Sequence, residues 1–257
     1  PWMQKVKQET GLPVSIEVAN ANHVELALKH DIDMLWIGAR SSVNPFAVQE
    51  IAEALRGVDV PVLIKNPINA DLSLWLGSTE RLIQAGVKRV GGLHRGFSNL
   101  GELHYRNRPQ WQLAIAYRNE MPELPLICDP SHICGRRDLL QSVSQKAMDL
   151  DFDGLMLESH ITPDEAWSDA AQQITPEELD TLIRNIIVRE PQLSDDKNHL
   201  ALDRLREKIN HIDDEMLNLL NNRMAVARDI GQFKKENNIT ILQKSRWNEI
   251  LNKAKSY

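Results

Sequence analysis

Six short apolar runs, each followed by a helical pattern, constrain this chain more than any other feature. They lie at 13–18, 33–40, 60–65, 89–94, 124–128 and 154–158. Between and after them, apolar spacing predicts helices at 23–29, 45–56, about 70–85, 110–120, 138–150 and 176–188. Phe46, Val48, Ile51, Ala52 and Leu55 carry the second of these. Thr175 and Pro176 supply a cap and first-turn proline for the last. Residues 2–10 read as a helix stopped by Gly11. Strands alternating with helices predict a parallel sheet with helical crossovers. The runs are mostly apolar, as strands of a sheet covered on both faces must be.

The polar residues decide among parallel folds. The runs end in Glu17, Arg40, Lys65, His94 with Arg95, Asp129 with His132, and Glu158 with His160. One charged strand end is ordinarily a solvated loop. Six in succession fit a shared site at the C-terminal ends of barrel strands. The expected fold over 1–187 is therefore an α/β (β/α)8 TIM barrel with six βα units visible. The alternative is an open doubly wound sheet, but no Gly-rich phosphate fingerprint follows the first strand. Six strands do not close an eight-stranded barrel, and the chain begins inside a helix. Two βα units are expected to precede it, which makes the chain a fragment of a longer protein.

Composition narrows the function classes. A length of 257 residues with 42% hydrophobic and 26% charged residues allows a sizeable core and one or two domains. A net charge of −6 argues against general nucleic-acid binding. No apolar run approaches the roughly 18 residues of a membrane span, and no signal peptide is visible. Cys128 and Cys134 lack metal-finger spacing. A reduced, cytoplasmic setting is expected.

The run Leu126-Ile127-Cys128-Asp129-Pro130-Ser131-His132-Ile133-Cys134-Gly135-Arg136-Arg137 turns from apolar strand to an acid, an imidazole and two guanidinium groups. Arg40, Lys65 and Arg95 put three cations at one rim, where guanidinium forks and an ammonium suit carboxylate and phosphate oxygens. Each of them alone also fits a salt bridge to Glu17, Asp129 or Glu158. His132, Glu158 and Asp169 offer one nitrogen and two carboxylates, a set better suited to Mn, Fe or Zn than to Mg or Ca. Asp169 can equally be a helix cap.

Ile37-Gly38-Ala39-Arg40, Asp129-Pro130-Ser131-His132, Gly135-Arg136-Arg137 and Ser168-Asp169-Ala170-Ala171-Gln172-Gln173 together resemble the type I-beta 3-deoxy-D-arabino-heptulosonate-7-phosphate (DAHP) synthases. The resemblance covers about residues 1–187. It implies metal-dependent condensation of phosphoenolpyruvate with erythrose 4-phosphate. His132, Glu158 and Asp169 would be metal ligands, for Mn²⁺ or else Fe²⁺, Zn²⁺ or Co²⁺. Ala39, Arg40, Lys65 and Arg95 would hold phosphoenolpyruvate, with Lys65 and Glu17 among the catalytic groups and Glu17 orienting water. The family's cysteine ligand on its first strand and its Lys-Pro-Arg-Thr segment after the second are not found here. Lys65-Asn66-Pro67 stands where many members have Lys-Arg-Gly.

Residues 188–199 read as a polar linker, and 200–257 as a second, helical domain. One long helix is predicted from about 200 to 237. Its seam is Leu202, Leu205, Ile209, Ile212, Met216, Leu219, Arg223, Val226, Ile230 and Phe233, a heptad stripe that needs a partner helix. No second long helix is predicted, so a homodimer is expected. A cation inside an apolar seam must be paired. Arg223 and Lys234 differ by only about 20° around the helix, whereas Arg206 points about 100° away. Leu205-Arg206-Glu207-Lys208-Ile209, Asp213, Arg223, Ile230-Gly231 and Lys234 resemble the intertwined helical chorismate mutases. That resemblance implies that Arg206, Arg223, Lys234 and Arg246 bind chorismate or prephenate, with Arg223 and Lys234 catalytic and one Arg supplied across the dimer. Trp247 stands where a Glu commonly follows the last Arg, and the family's third helix is expected to follow Tyr257 in a longer protein. In such fusions the mutase also serves as a sensor through which prephenate inhibits the synthase.

Three rival readings remain. One is a related condensing enzyme of the 3-deoxy-octulosonate-phosphate type. Another is a Schiff-base aldolase using Lys65. The third is a helical tail that serves dimerisation and regulation with no catalysis.

Overall fold

A computed structural model describes residues 2–189 and 196–256. The chain divides into two compact units, Pro1–Arg189 and Glu190–Tyr257. Of the linker expected at 188–199, residues 190–195 lie outside the described residues.

The first unit is built on six parallel strands: β1 (Ser15–Val18), β2 (Met34–Ile37), β3 (Val62–Lys65), β4 (Val90–His94), β5 (Leu126–Cys128) and β6 (Gly154–Leu155). Helices α1 (Trp2–Thr10), α2 (Ala21–Lys29), α3 (Ala39–Ser42), α4 (Pro45–Ala54), α5 (Leu72–Gln84), α6 (Trp111–Glu120), α7 (Pro130–Cys134), α8 (Leu140–Asp149) and α9 (Pro176–Arg184) accompany them. The second unit holds α10 (Asp196–Glu236) and α11 (Lys244–Lys255).

Spatial strand order follows chain order, β1-β2-β3-β4-β5-β6, and every pair is parallel. A doubly wound sheet reverses its order at a switch point, and this one does not. The arc is a half-barrel. β1 and β6 are its edges, so the eight-stranded closure predicted from sequence is not present among the described residues.

Register follows from alternation along each strand. Leu35, Ile37, Val62, Ile64, Val90, Leu126 and Cys128 point outward into one core with Val48 and Ile51 of α4, with Leu55 at its C-cap, and with Trp75 and Leu82 of α5. Leu63 and Lys65, and then Arg95 beyond β4, fall on the opposite, inner side by the same period.

Several predicted boundaries shift. The run 33–40 stops as a strand at Ile37, because Gly38 caps α3 and puts Arg40 on that short helix. The run 154–158 keeps strand pairing only over Gly154–Leu155, and the helix expected over 176–188 ends at Arg184. In the second unit α10 starts at Asp196, inside the predicted linker, and α11 is a further helix that the seam pattern does not reveal. His94, counted above among the polar strand ends, faces the wrong way. It is fully buried on the helical side of β4, with ring centroids 5.4 Å from Trp111, 5.7 Å from Phe97 and 6.0 Å from Phe152. Burial pulls its pKa down to about 3, against the pull of the Pro109 carbonyl, so it packs there as a neutral ring.

Close approach of α6 depends on Gly92. A Cβ there would lie 2.6 Å from Tyr117 Cε1 and 2.9 Å from Leu126 Cδ1. Tyr117 in turn stacks on Trp75 at 4.0 Å, and its hydroxyl lies 2.9 Å from Thr79 Oγ1. Gly92→Ala should therefore destabilise the first unit by about 1–3 kcal/mol through overpacking, seen as a lower urea midpoint. An unchanged midpoint would mean that α6 moves outward freely.

Candidate active site

The local chemistry of residues 129–135 builds the centre of the site. Asp129 Oδ1 accepts from the His132 amide at 3.0 Å and so caps α7. Pro130 fills the first turn, and Gly135 closes the helix at φ 66°. One turn of helix thus follows β5 immediately and holds His132 at the strand's C-terminal end.

Asp129 also pairs with Lys65 Nζ at 3.0 Å through Oδ2, joining the ends of β3 and β5. Both side chains are buried, at 7% and 1% exposure. Burial pushes the Asp129 carboxyl up, but His132 and Lys65 outweigh it and hold the group below the usual carboxylate range.

Lys65 shares a cavity of about 310 Å³ with Glu17, Ala39, Arg40, Arg95, Arg106, Asn107, His132 and Asp169. Arg95 is held by two asparagines. Arg95 Nη1 donates to Asn107 Oδ1 at 2.7 Å, and its backbone amide donates to Asn66 Oδ1 at 2.7 Å. Asn107 Nδ2 donates to the His132 carbonyl at 2.7 Å. Burial pulls the Arg95 guanidinium down to about 10, so it is cationic at neutral pH. Glu17 stands at the β1 rim, accepting from Trp36 Nε1 at 3.1 Å, and its carboxylate fills the space that a Cβ on Gly38 would take. Arg40 is exposed beside it.

His132, Glu158 and Asp169 converge, with one ligand atom of each within 4.8 Å of the others. His132 Nδ1 is buried and makes no hydrogen bond, although Asp129 Oδ2 lies 2.9 Å and Glu158 Oε1 3.5 Å away. The carboxylates at Nδ1 fix the ring's orientation, and one imidazole nitrogen with two carboxylates is a donor set that a divalent transition ion takes. Asp169 does not cap with its side chain. It sits at φ 52° and turns its carboxylate to Arg106, 2.6 Å away. Left-handed backbone is one that aspartate adopts more readily than most residues, and here it turns the side chain away from the capping position. Ser131 Oγ accepts from the Glu158 amide at 2.9 Å, which fixes Glu158 against α7.

The sequence patterns passed over Arg106, Asn107 and Gln172. Gln172 is 1% exposed and donates to Glu158 Oε2 at 2.9 Å. Its place in the Asp169–Gln173 run was visible, but its partners were not.

The second unit has its own cavity of about 580 Å³, lined by Arg223, Val226, Ile230 and Lys234 of α10 and by Arg246 and Trp247 of α11. Lys234 Nζ donates to the Ile241 carbonyl at 2.8 Å, and Arg246 Nη1 to Glu249 Oε2 at 2.8 Å. Arg206 is not among the lining residues. It bonds Asp203 Oδ1 at 3.1 Å on the exposed helix.

Comparison with known proteins gives matches to both units. The model described as DAHP synthetase I family matches residues 1–212, and that described as chorismate mutase type II matches 205–257. A phospho-2-dehydro-3-deoxyheptonate aldolase of Thermotoga maritima is 29% identical over 185 residues, covering 72% of this chain and 53% of the relative. The crystal structure of a DAHP synthase from Thermotoga maritima aligns with a TM-score of 0.64 at 25% identity, over 71% of this chain and 52% of that one. A truncated form of 3-deoxy-D-arabino-heptulosonate 7-phosphate synthase from the same organism aligns with a TM-score of 0.61 at 25% identity, over 70% and 66%. The chain spans about half the length of the curated relative it matches.

The buried pair generates a stability prediction. Removing one partner of such a pair costs about 3–5 kcal/mol, so Lys65→Met should lower the denaturation midpoint accordingly. Arg40→Ala, at an exposed rim, should stay within about 0.5 kcal/mol. The Asp129 contribution is present above the ordinary carboxylate pKa and is lost only as pH falls through its depressed folded value. Equal midpoints for the two variants would place Lys65 in solvent.

Proposed function

This chain belongs to the DAHP synthetase I family, and we propose that its first unit carries the phosphoenolpyruvate and metal portion of a DAHP synthase site, joined to a chorismate mutase unit. The carrying observation is one cavity lined by Arg40, Lys65, Arg95, His132 and Asp169, with Glu158 beside the last two. Cations for a phosphorylated acid thus border a nitrogen-and-carboxylate set.

In this reading Arg40 and Arg95 hold the phosphate and carboxylate of phosphoenolpyruvate as forks, and the Ala39 backbone lies beside them. Lys65 adds an ammonium fixed by Asp129. An ammonium committed to a buried carboxylate is poorly disposed to act as the free amine of a Schiff base, which disfavours the Lys65 aldolase reading. C3 of the enol attacks the aldehyde carbon of erythrose 4-phosphate and leaves cationic character at C2. Glu17 orients the water that adds there, after which phosphate departs. His132, Glu158 and Asp169 would hold a divalent ion, with Mn²⁺ the favoured choice. When bound, it supplies Lewis acidity to the aldehyde oxygen. One imidazole nitrogen and two carboxylates within 4.8 Å of one another fit that role.

In the second unit Arg223, Lys234 and Arg246 bind the carboxylates and ether oxygen of chorismate. Rearrangement to prephenate needs restraint and charge stabilisation, with no nucleophile. Arg206, outside the cavity, is the residue offered to a second copy. Leu205, Ile209, Ile212, Met216 and Leu219 are 49–68% exposed along α10, and a partner helix would cover them, which supports a homodimer. Prephenate held in this cavity would be the feedback signal to the synthase. No described helix is long and apolar enough to cross a membrane. Cys128 and Cys134 are buried free thiols, in keeping with a cytoplasmic setting.

A coupled assay with phosphoenolpyruvate, erythrose 4-phosphate and Mn²⁺ tests the synthase half. Chelation should abolish turnover, and Arg95→Ala should lower kcat/KM by about 10–100-fold for loss of a charge-assisted bond. Turnover that survives chelation, with borohydride trapping substrate on Lys65, would instead identify an aldolase. For the mutase half, Arg223→Ala should abolish conversion of chorismate while sedimentation still reports a dimer. Loss of the dimer with turnover per folded chain retained would make the helix structural only.

A further inference from the structure

Arg106 lies outside every motif picked out from the sequence, yet it touches both halves of the first site. Its Nη1 donates to Asp169 Oδ1 at 2.6 Å and to Gln172 Oε1 at 2.7 Å. Gln172 Nε2 donates onward to Glu158 Oε2 at 2.9 Å. One guanidinium, working partly through one buried amide, thus anchors both carboxylates of the candidate metal set. The same side chain lines the anion cavity with Arg40, Lys65 and Arg95. Its position is built in. The Arg106 amide donates to the Cys134 carbonyl at 3.2 Å, and Gly135 leaves open the space against the Arg106 side chain that a Cβ would fill.

Two carboxylates converging on one histidine repel each other unless a cation sits near. Arg106 supplies it and pins one oxygen of each, directly for Asp169 and through Gln172 for Glu158. Glu158 Oε1 is left facing His132. A divalent ion and a guanidinium also repel, and both draw on the Asp169 charge. An ion that takes Asp169 weakens the Arg106 pair and releases Nη1 toward an anion in the cavity. An anion that draws Arg106 away returns the Asp169 charge to the ion.

We propose that Arg106 is a positioning residue shared by the metal carboxylates and the anion cavity, and that its exchange between Asp169 and a bound phosphorylated acid makes metal and phosphoenolpyruvate raise each other's affinity. The proposal rests on the metal and phosphoenolpyruvate reading of this site. Linkage requires the two enhancements to be equal. Part of the coupling is plain attraction between ion and anion and survives without Arg106, so the test is a difference between variants.

The full chain is titrated with Mn²⁺, reading free ion by electron paramagnetic resonance, with and without saturating phosphoenolpyruvate. In the unsubstituted chain phosphoenolpyruvate should tighten Mn²⁺ binding by about fivefold or more, and in Arg106→Gln that factor should fall by at least about threefold. The Arg106 side chain is 42% exposed and the backbone anchor is untouched, so the variant keeps the fold. Equal coupling in both chains overturns the proposal and leaves the metal reading standing. Failure of the unsubstituted chain to bind Mn²⁺ removes that reading and the proposal with it. A second measurement needs no variant. The Arg106 guanidinium protons, slowed by two bonds, should exchange faster when Zn²⁺ alone is added and slow again with phosphoenolpyruvate. Protection unchanged by Zn²⁺ overturns the exchange.

Discussion

Asp129 ties more of this structure together than any other side chain described. One oxygen caps α7 and the other meets Lys65, so a single buried carboxylate fixes the ends of β3 and β5 and the helix that carries His132. A charge this deep is tolerated only because each oxygen has a partner. The arrangement therefore holds as a unit. Without the ammonium the carboxylate is an uncompensated charge, and without the carboxylate α7 loses its cap. Stability and site geometry share the same interaction.

Around that pair the site is assembled in layers with different tolerances. Arg95 is held by Asn66 and Asn107, and Asn107 is bonded to the His132 carbonyl. The Arg95 guanidinium and the His132 turn are thus braced by one amide. Glu158 and Asp169 are reached from the other side, through Gln172 and Arg106. Asn107 lines the cavity and Asn66 and Gln172 are buried beside it, and these amides decide where the charged groups point. Placing functional groups on rigid strand ends and a short capped helix limits how far any of them can drift.

The helical unit meets a different constraint. An apolar stripe on a long helix is stable only when covered. Within this unit, α11 closes one side of the cavity that gathers Arg223, Lys234 and Arg246. The remaining stripe is exposed along α10, and the homodimer proposed above would cover it.

Much of this was legible in the order of the residues. Alternating apolar runs and helical spacing determined the parallel α/β class, because period 2 and period 3.6 are local properties of the chain. The strand-end positions of Lys65 and Asp129 followed from the same apolar runs, and the helical angle between Arg223 and Lys234 already separated them from Arg206. Tertiary structure alone decided the rest. His94 and Arg95 are adjacent in sequence but lie on opposite faces of β4, and only the packing of Trp111, Phe97 and Phe152 shows which one is neutral and buried. Arg106 and Asn107 carry no motif, and Gln172 lies in a quoted run that shows no role for it, since their roles depend on partners 12 to 66 residues away. Local spacing fixes which way a side chain leaves its own element. Which distant group it meets depends on how the elements close on one another, and a hydrogen bond across that distance leaves no periodic mark in the sequence.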